Sequence, residues 1–409
     1  MRLQNTIILY LAVLALLGTV TNYVYFSPLL TLLVPLCIYI VLKRKMQRPL
    51  FWLYAFFSAF LISVIFYDFK SLIDFGFYRR DGNFIISYAP ILILPLFNLR
   101  FNLDNYLRYF YKFALGLYAI IFIYYLVNLN LGSELHALVF GGLFYAQNAV
   151  GGFLSILGAL GFAYFYNRKT KKEFFFFFLI LAMLFMTYSR GSILGLALGI
   201  AAWYLAVNKY FKTLVLLISI PVLLTVATLM IGYPSYESKI NTGNLVEEKV
   251  GEDMGTKNAN VILRILYTFP RAYYSFTHSP IVGTGVGSFD DRPYDFEPIV
   301  PYVAYNAQPF KAHTDSHAHH SYLHILAEQG VFGLGLFITF WVSLFLYLMN
   351  LKYKPLVRDF LLIAFFTITF ASFTEHRITT PSMMLPFTIV LGLHFANRER
   401  IRKFLIVEK

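Results

Sequence analysis

Residues 316–350 read SHAHHSYLHILAEQGVFGLGLFITFWVSLFLYLMN. The stretch opens with four histidines, His317, His319, His320 and His324, and ends in a long run of apolar and aromatic residues. About 20 apolar residues are needed to cross a bilayer. From His319 the positions His319, Tyr322/Leu323, Leu326, Gly330 and Gly333 recur at helical spacing. The pattern predicts a helix that starts at His319 and runs down into a membrane, with its histidines at membrane-surface height. Gly330 and Gly333 on that face would admit another helix closely.

The rest of the chain reads the same way. Of 409 residues 58% are hydrophobic and only 13% charged, against about 25% charged in a soluble domain. Mean hydropathy is +0.63. Long continuous apolar runs predict an all-α, polytopic transmembrane protein, since hydrocarbon leaves backbone polar groups no partner outside a helix or closed barrel. Twelve segments qualify: 6–22, 27–42, 50–67, 83–98, 106–127, 148–166, 174–188, 191–207, 212–232, 331–350, 357–374 and 381–396. They divide the chain into a nine-helix region (1–232), one large extracytoplasmic loop (233–330), and a three-helix region with a basic tail (331–409). Arg2 followed by an apolar run, with no small-residue cleavage site before Tyr23, predicts a retained first helix.

The formal charge of +13 could suggest a nucleic-acid partner. Its placement argues otherwise. One set of inter-helix segments and both termini hold 22 of the 34 Lys and Arg, and the opposite short loops hold 5. That asymmetry is the positive-inside bias, and it predicts cytoplasmic termini. The histidine stretch then lies outside, where no ATP is available. The lone Cys37 allows no intrachain disulfide and reads as packing.

Cations in the short outer loops run against the bias and are the informative ones. Arg190, in TYSRGS, sits in a tight link between two apolar runs, near the membrane surface. Arg79 and Arg80, in YRRDG, are further candidates for substrate contacts. Residues 258–278, NANVILRILYTFPRAYYSFTH, read as an interfacial helix kinked at Pro270. Arg264 and Arg271, seven apart, would share a face of a regular helix. The run PIVGTGVGSF, with Gly283, Gly285 and Gly287, reads as a tight structural turn. No strand–helix unit surrounds it, which excludes a dinucleotide fingerprint.

The histidines admit three readings. His313, Asp315, His317 and His319 alternate, as metal ligands on an extended segment would. They could form a surface cluster with no role. Or one of them, placed at the helix start, could act as a general base on a lipid-linked substrate. Glu328, nine residues beyond His319, falls on the opposite side of a straight helix and would not be its partner.

Together these features resemble the O-antigen ligase and polymerase family of bacterial membrane proteins. His319, then His320, nine residues, Gly330, two residues and Gly333 match the spacing of the family's signature. His320 stands where the family has Asn, Ser or Gln, leaving His319 or His320 as the working base, with the spacing favouring His319. YSRG at 188–191 resembles its Ser-Arg-Gly turn, and the segment around Arg264 resembles its long-loop helix ahead of the glycine run. The resemblance implies a C-type (GT-C-like) membrane glycosyltransferase without metal or cofactor. It would work on the periplasmic face of the inner membrane, moving a glycan from undecaprenyl diphosphate to a lipid A-core acceptor. Arg190 and Arg264 would bind the diphosphate and His319 would be the base. His320 and Arg271, like Arg79 and Arg80, would be secondary contacts. A polymerase extending the carrier-linked glycan is the near alternative. A glycan-to-protein transferase and a lipid-linked oligosaccharide flippase stand further off.

Overall fold

The computed structural model describes residues 6, 7, 10, 47–73, 77, 82–97, 99, 102–130, 147–242, 264–291, 302–305, 308–311, 317–351 and 355–397. The predicted spans 6–22 and 27–42, together with Cys37, Arg79, Arg80, His313 and Asp315, fall outside them wholly or almost wholly. The helices are α1 (Arg48–Asp68), α2 (Asn83–Ile93), α3 (Leu103–Asn130), α4 (Gln147–Arg168), α5 (Lys171–Met186), α6 (Arg190–Val207), α7 (Phe211–Thr242), α8 (Phe269–His278), the single turn α9 (Ser288–Asp291), α10 (Ser321–Met349), α11 (Pro355–Ala371) and α12 (Pro381–Ala396). Between α9 and α10 a short antiparallel hairpin pairs β1 (Tyr302–Tyr305) with β2 (Gln308–Lys311). Among the described residues six helices are long and apolar enough to cross a membrane: α1, α3, α4, α6, α7 and α10. Two shorter apolar helices, Asn83–Leu96 and Pro381–Ala396, accompany them.

Local chemistry explains several helix ends. Pro49 and Pro381 sit in first turns, where the missing N–H has no intrahelical partner to lose. Thr170 caps α5 by accepting from the Glu173 N–H at 3.3 Å. Glu173 in turn pairs with Arg168 at 3.1 Å. The helix α7 runs ten residues beyond the predicted boundary at Gly232.

Packing is set by small residues and aromatic rings. Gly191, Gly195 and Gly199 recur every four residues along α6, and that stripe lies against α11 and the turn after it. A Cβ at Gly195 would stand 2.9 Å from the Thr367 carbonyl oxygen, and one at Gly199 would strike the Thr367 side chain. Small residues let helix backbones approach where lipid supplies no hydrophobic drive. On the other side of the bundle Phe56, Phe60, Phe84, Phe337 and Phe340 pack edge-on or tilted around α1, α2 and α10. Lipid-suited surface remains on α7, where Leu216, Leu223, Leu224, Met230 and Ile231 are exposed.

α11 runs antiparallel to α4 and α6, which fixes the two ends of the bundle. At one end Asp359, buried at the start of α11, accepts from Trp203 Nε1 (3.2 Å), Asn167 Nδ2 (3.0 Å) and Arg358 Nη2 (2.8 Å), all near the finishing ends of α6 and α4 or next to it in sequence. At the other end α4, α6, α10 and α12 all begin, around the turn 372–380 that joins α11 to α12.

Candidate functional site

That turn collects bonds from much of the bundle. Ser87 Oγ of α2 donates to the Thr379 carbonyl at 2.6 Å. The N–H of Ser321, first residue of α10, donates to the Ser372 carbonyl at 2.9 Å, and its hydroxyl to the Glu375 carbonyl at 3.2 Å. Gly191 of α6 has no room for a Cβ beside Thr374 Oγ1 (2.5 Å). The helix stripe described above therefore ends by pressing Arg190's turn against Thr374 and Glu375.

At the centre stands Glu375. Its Oε1 accepts from Arg264 Nη2 at 2.7 Å, and its Oε2 lies 3.2 Å from His319 Nδ1. Arg264 Nη1 also donates to the Thr374 carbonyl at 2.9 Å. Burial by itself would raise the Glu375 pKa. The His319 hydrogen bond and the charges of Arg264 and Arg377 outweigh it and hold the carboxyl well below the usual carboxylate range. An ionised carboxylate only accepts, so His319 Nδ1 carries a proton, and in the neutral ring the lone pair is then on Nε2. The His319 side chain keeps 20% exposure, that of Arg264 23%. Two of the five guanidinium donors of Arg264 are spent on Thr374 and Glu375.

The predicted helix start at His319 needs correction. α10 begins at Ser321, and His320 is its N-cap, extended at φ −155 and ψ 105. His320 Nδ1 accepts the Leu323 N–H at 3.2 Å, which leaves Nε2 protonated and donating to Thr225 Oγ1 at 3.0 Å. Its ring is packed edge-on against Phe269 and Phe373. Burial pushes its pKa down to about 3. His320 is a neutral structural cap. His319 is displaced outside the helix with φ 50, a left-handed conformation that His tolerates better than most residues, and this displacement turns it toward Glu375. Tyr188, two residues before Arg190, has φ 52. Both motif turns thus hold a left-handed residue, and such conformations concentrate at functional sites.

Arg264 and Arg271 do not share a helix face. Arg264–Thr268 forms a π turn that runs on directly into α8 at Phe269, so Pro270 stands where the helix changes from π to α form and the spacing is not that of one regular helix. Arg264 reaches Glu375. Arg271 is buried, with its guanidinium 4.6 Å above the Phe289 ring and Nη2 donating to the Phe289 carbonyl at 2.9 Å. It belongs to the packing beneath the glycine run. Arg190 is the first residue of α6, and its side chain is exposed.

The glycine run repairs a break in α10. At Gly330 (φ 62, ψ −167) the helix kinks. The stranded groups find partners in the run: Thr284 N–H donates to the Ala327 carbonyl (3.0 Å), Gly285 N–H to that of Glu328 (2.9 Å), Val331 N–H to Pro280 (2.9 Å) and Phe332 N–H to Ile281 (3.0 Å). A Cβ at Gly330 would collide with the Ile281 carbonyl, and one at Gly283 with the Glu328 backbone. Gly285 (φ 107) lies 2.6 Å, by the same measure, from the Tyr67 ring. The close approach made at Gly330 is thus by a loop, and at Gly333 by the Gln329 side chain of its own helix. Among the described residues, the atoms nearest these two positions belong to that loop and that side chain and not to a second helix. Glu328 is buried beside this clamp. Oε1 accepts from Gly287 N–H at 2.9 Å, and Oε2 lies 3.3 Å from His324 Nε2.

Three more histidines, His317, His376 and His324, follow ring against ring behind His319, tilted or edge-on. The rings of His317 and His319 are 4.6 Å apart, those of His317 and His376 5.1 Å, and those of His376 and His324 4.4 Å. Burial pushes the pKa of both His317 and His376 well below the ordinary value. Among the described residues no group of three His, Cys, Asp or Glu is placed to hold a metal ion. Two of the four alternating positions, His313 and Asp315, lie outside them.

Sequence reasoning missed Glu375. The available signal was TEHR at 374–377, two opposite charges and a His in a short link between apolar helices. Arg377 of this link is one of the five cations in the opposite short loops.

The positive ends of α4, α6, α10 and α12 converge on this turn together with Arg190, Arg264 and Arg377. Such a site suits a ligand with concentrated negative charge. The fold and site therefore define a polytopic helical membrane protein with an Arg–Glu–His triad at one end of its bundle. Residues 175–338 match the family model described as O-antigen ligase (Wzy_C), the family that the motifs resemble. The matched range takes in Arg190, Arg264, His319 and the glycine run and stops before Glu375. No curated protein matches the chain.

Proposed function

We propose that the protein is a membrane glycosyltransferase of the O-antigen ligase type. It would transfer a glycan from an undecaprenyl-diphosphate donor to a lipid A-core acceptor on the periplasmic face of the bacterial inner membrane, with both termini cytoplasmic. The observation that carries this reading is Glu375 bridging Arg264 and His319. One carboxylate thereby orients a base and a diphosphate-binding cation toward the same space.

The chemistry follows from the side chains. His319 Nε2 takes the proton of the acceptor hydroxyl as its oxygen forms a bond to the anomeric carbon. The bond from that carbon to the diphosphate oxygen breaks, and undecaprenyl diphosphate leaves with the electron pair. Arg190 and the uncommitted donors of Arg264 bind the growing negative charge; a planar, permanently charged fork is suited to it. The donor already holds the activation energy, so no nucleotide is required outside. A base and two cations suffice for each of these steps. The same steps serve the hydroxyl of a second carrier-linked glycan, which a polymerase would use.

The test is transfer by purified protein in detergent with EDTA, given undecaprenyl-diphosphate-linked glycan and lipid A-core, with His319→Ala alongside. A higher-mass lipid A product from the wild type alone supports the ligase reading and His319 as base. Lengthening of the carrier-linked glycan instead assigns a polymerase. Absence of both products, or full activity of the variant, sinks the proposal.

A further inference from the structure

Arg377 is 3% exposed and lies outside the Arg264–Glu375–His319 triad. Its Nη1 donates to the Asn148 carbonyl in the first turn of α4 at 2.8 Å, and its Nη2 to Ser189 Oγ at 3.3 Å. Ser189 is the residue from which α6 and Arg190 start. The surroundings are cut to hold this bridge. A Cβ at Gly151 would collide with Ser189, and one at Gly152 would stand 3.4 Å from Arg377 Nη1. The Ser189 side chain makes no cap bond to the α6 backbone; its hydroxyl meets Ser192 Oγ at 2.9 Å and Arg377.

As a stabilising device the arrangement is poor. A buried cation beside the positive ends of two helices, and near Arg264, is electrostatically unfavourable. Burial and Arg264 both lower the Arg377 pKa, and Glu375 is the carboxylate that opposes them. What the arrangement does achieve is geometric. The planar fork ties the 372–380 turn, which holds Glu375, to the Tyr188–Arg190 turn, whose left-handed Tyr188 needs an outside restraint.

We infer that Arg377 is a positioning residue: through Ser189 it holds Arg190 where that exposed cation and Arg264 can bind one diphosphate together. This rests on the diphosphate reading of Arg190 above. The fork is required, since a lysine ammonium could not reach both partners with planar geometry.

The test is binding of undecaprenyl diphosphate to the full chain in nanodiscs, which needs no turnover. Arg190→Ala should weaken binding. Arg377→Lys and Ser189→Ala should each weaken it about tenfold, whereas Ser192→Ala, which removes only the other partner of the Ser189 hydroxyl, should bind as the wild type. In an Arg190→Ala background Arg377→Lys should add less than about twofold, because the two act as one unit. Wild-type binding by Arg377→Lys and Ser189→Ala, with Arg190→Ala impaired, overturns the inference and leaves the diphosphate reading standing. So does an undiminished Arg377→Lys effect in the Arg190→Ala background. Wild-type binding by Arg190→Ala itself removes the diphosphate reading and the inference together. If Arg377→Lys does not fold, Ser189→Ala carries the test alone.

Discussion

At the scale of single residues, Glu375 and His320 divide two tasks between them. Glu375 fixes the His319 tautomer. Glu375→Gln keeps the size but presents an amide that can donate to Nδ1, so the base nitrogen is no longer defined. Turnover should fall by about 10²–10⁴-fold while donor binding changes less; equal turnover by Gln and Glu enzymes in single-turnover assays would remove Glu375 from the mechanism. Acid stability separates the two groups. His317, His320 and His376 are held neutral with pKa values below 6.5. Below pH 6.5 the unfolded chain takes up protons that the folded chain refuses, so stability falls as pH drops through that point. Glu375 has the opposite chemistry and the same outcome lower down. Its folded pKa lies below 4.5, so its contribution is present above 4.5 and is lost as pH falls further. His320→Gln should flatten the slope of stability between pH 6 and 4 by about 1.4 kcal/mol per pH unit, read from detergent melting curves. The gap between wild type and Glu375→Gln should stay nearly constant from pH 6 to about 5 and close as pH falls through 4.5. A His320→Gln slope equal to that of the wild type would show that this ring is not buried neutral.

At the scale of elements, the break in α10 and the glycine stripe of α6 decide where the site residues stand. Gly330→Ala places a Cβ on a backbone with φ 62 and against the Ile281 carbonyl. It should cost about 1–3 kcal/mol from conformation alone, with more from the collision. Gly335, five residues on, meets nothing within 4 Å, so Gly335→Ala should be neutral or stabilise by up to about 1 kcal/mol. Equal melting temperatures for the two variants would contradict the clamp. Gly199→Leu should separate α6 from α11 at Thr367 and carry Arg190 away from Glu375, lowering transfer together with stability. Periodicity along His319–Gly333 predicted one continuous helix because hydrophobic spacing does not register a single residue at positive φ. Only the loop 280–287, supplying two carbonyls and two N–H groups, shows why the break is tolerated.

At the scale of the whole molecule, the two ends of the bundle carry different polar networks. The Asp359 end joins α4, α6 and α11 through a buried carboxylate with three side-chain donors. Asp359→Leu leaves Trp203 Nε1 and Arg358 without their acceptor and should destabilise by about 3–5 kcal/mol. Undecaprenyl diphosphate binding by the protein that remains folded should be unchanged, since this network lies at the far end from Glu375. Loss of binding by folded Asp359→Leu would mean that the ends are coupled.

The sequence by itself determined the all-helical membrane architecture, because length and hydropathy of each segment answer to the bilayer and need no knowledge of neighbours. Ten of the twelve predicted segments coincide with helices, of which six are long and apolar enough to cross a membrane, and the other two lie wholly or almost wholly outside the described residues. It also marked the turns on which the proposed reaction rests, since Arg190, Arg264 and His319 each stand out locally: a cation in or near a link between apolar runs, or a polar cluster at the edge of one. Tertiary structure alone decided that these turns meet. Glu375 is 56 residues from His319 and 111 from Arg264, and no periodicity links residues so far apart. Their contact depends on α11 packing antiparallel along the Gly191–Gly195–Gly199 stripe. Tertiary structure also decided between neighbours of the same type. His320 became a cap and His319 a partner of Glu375, and Arg271 sank onto Phe289 while Arg264 reached the site. Such choices turn on single backbone angles and on burial, which exist only once the chain is folded.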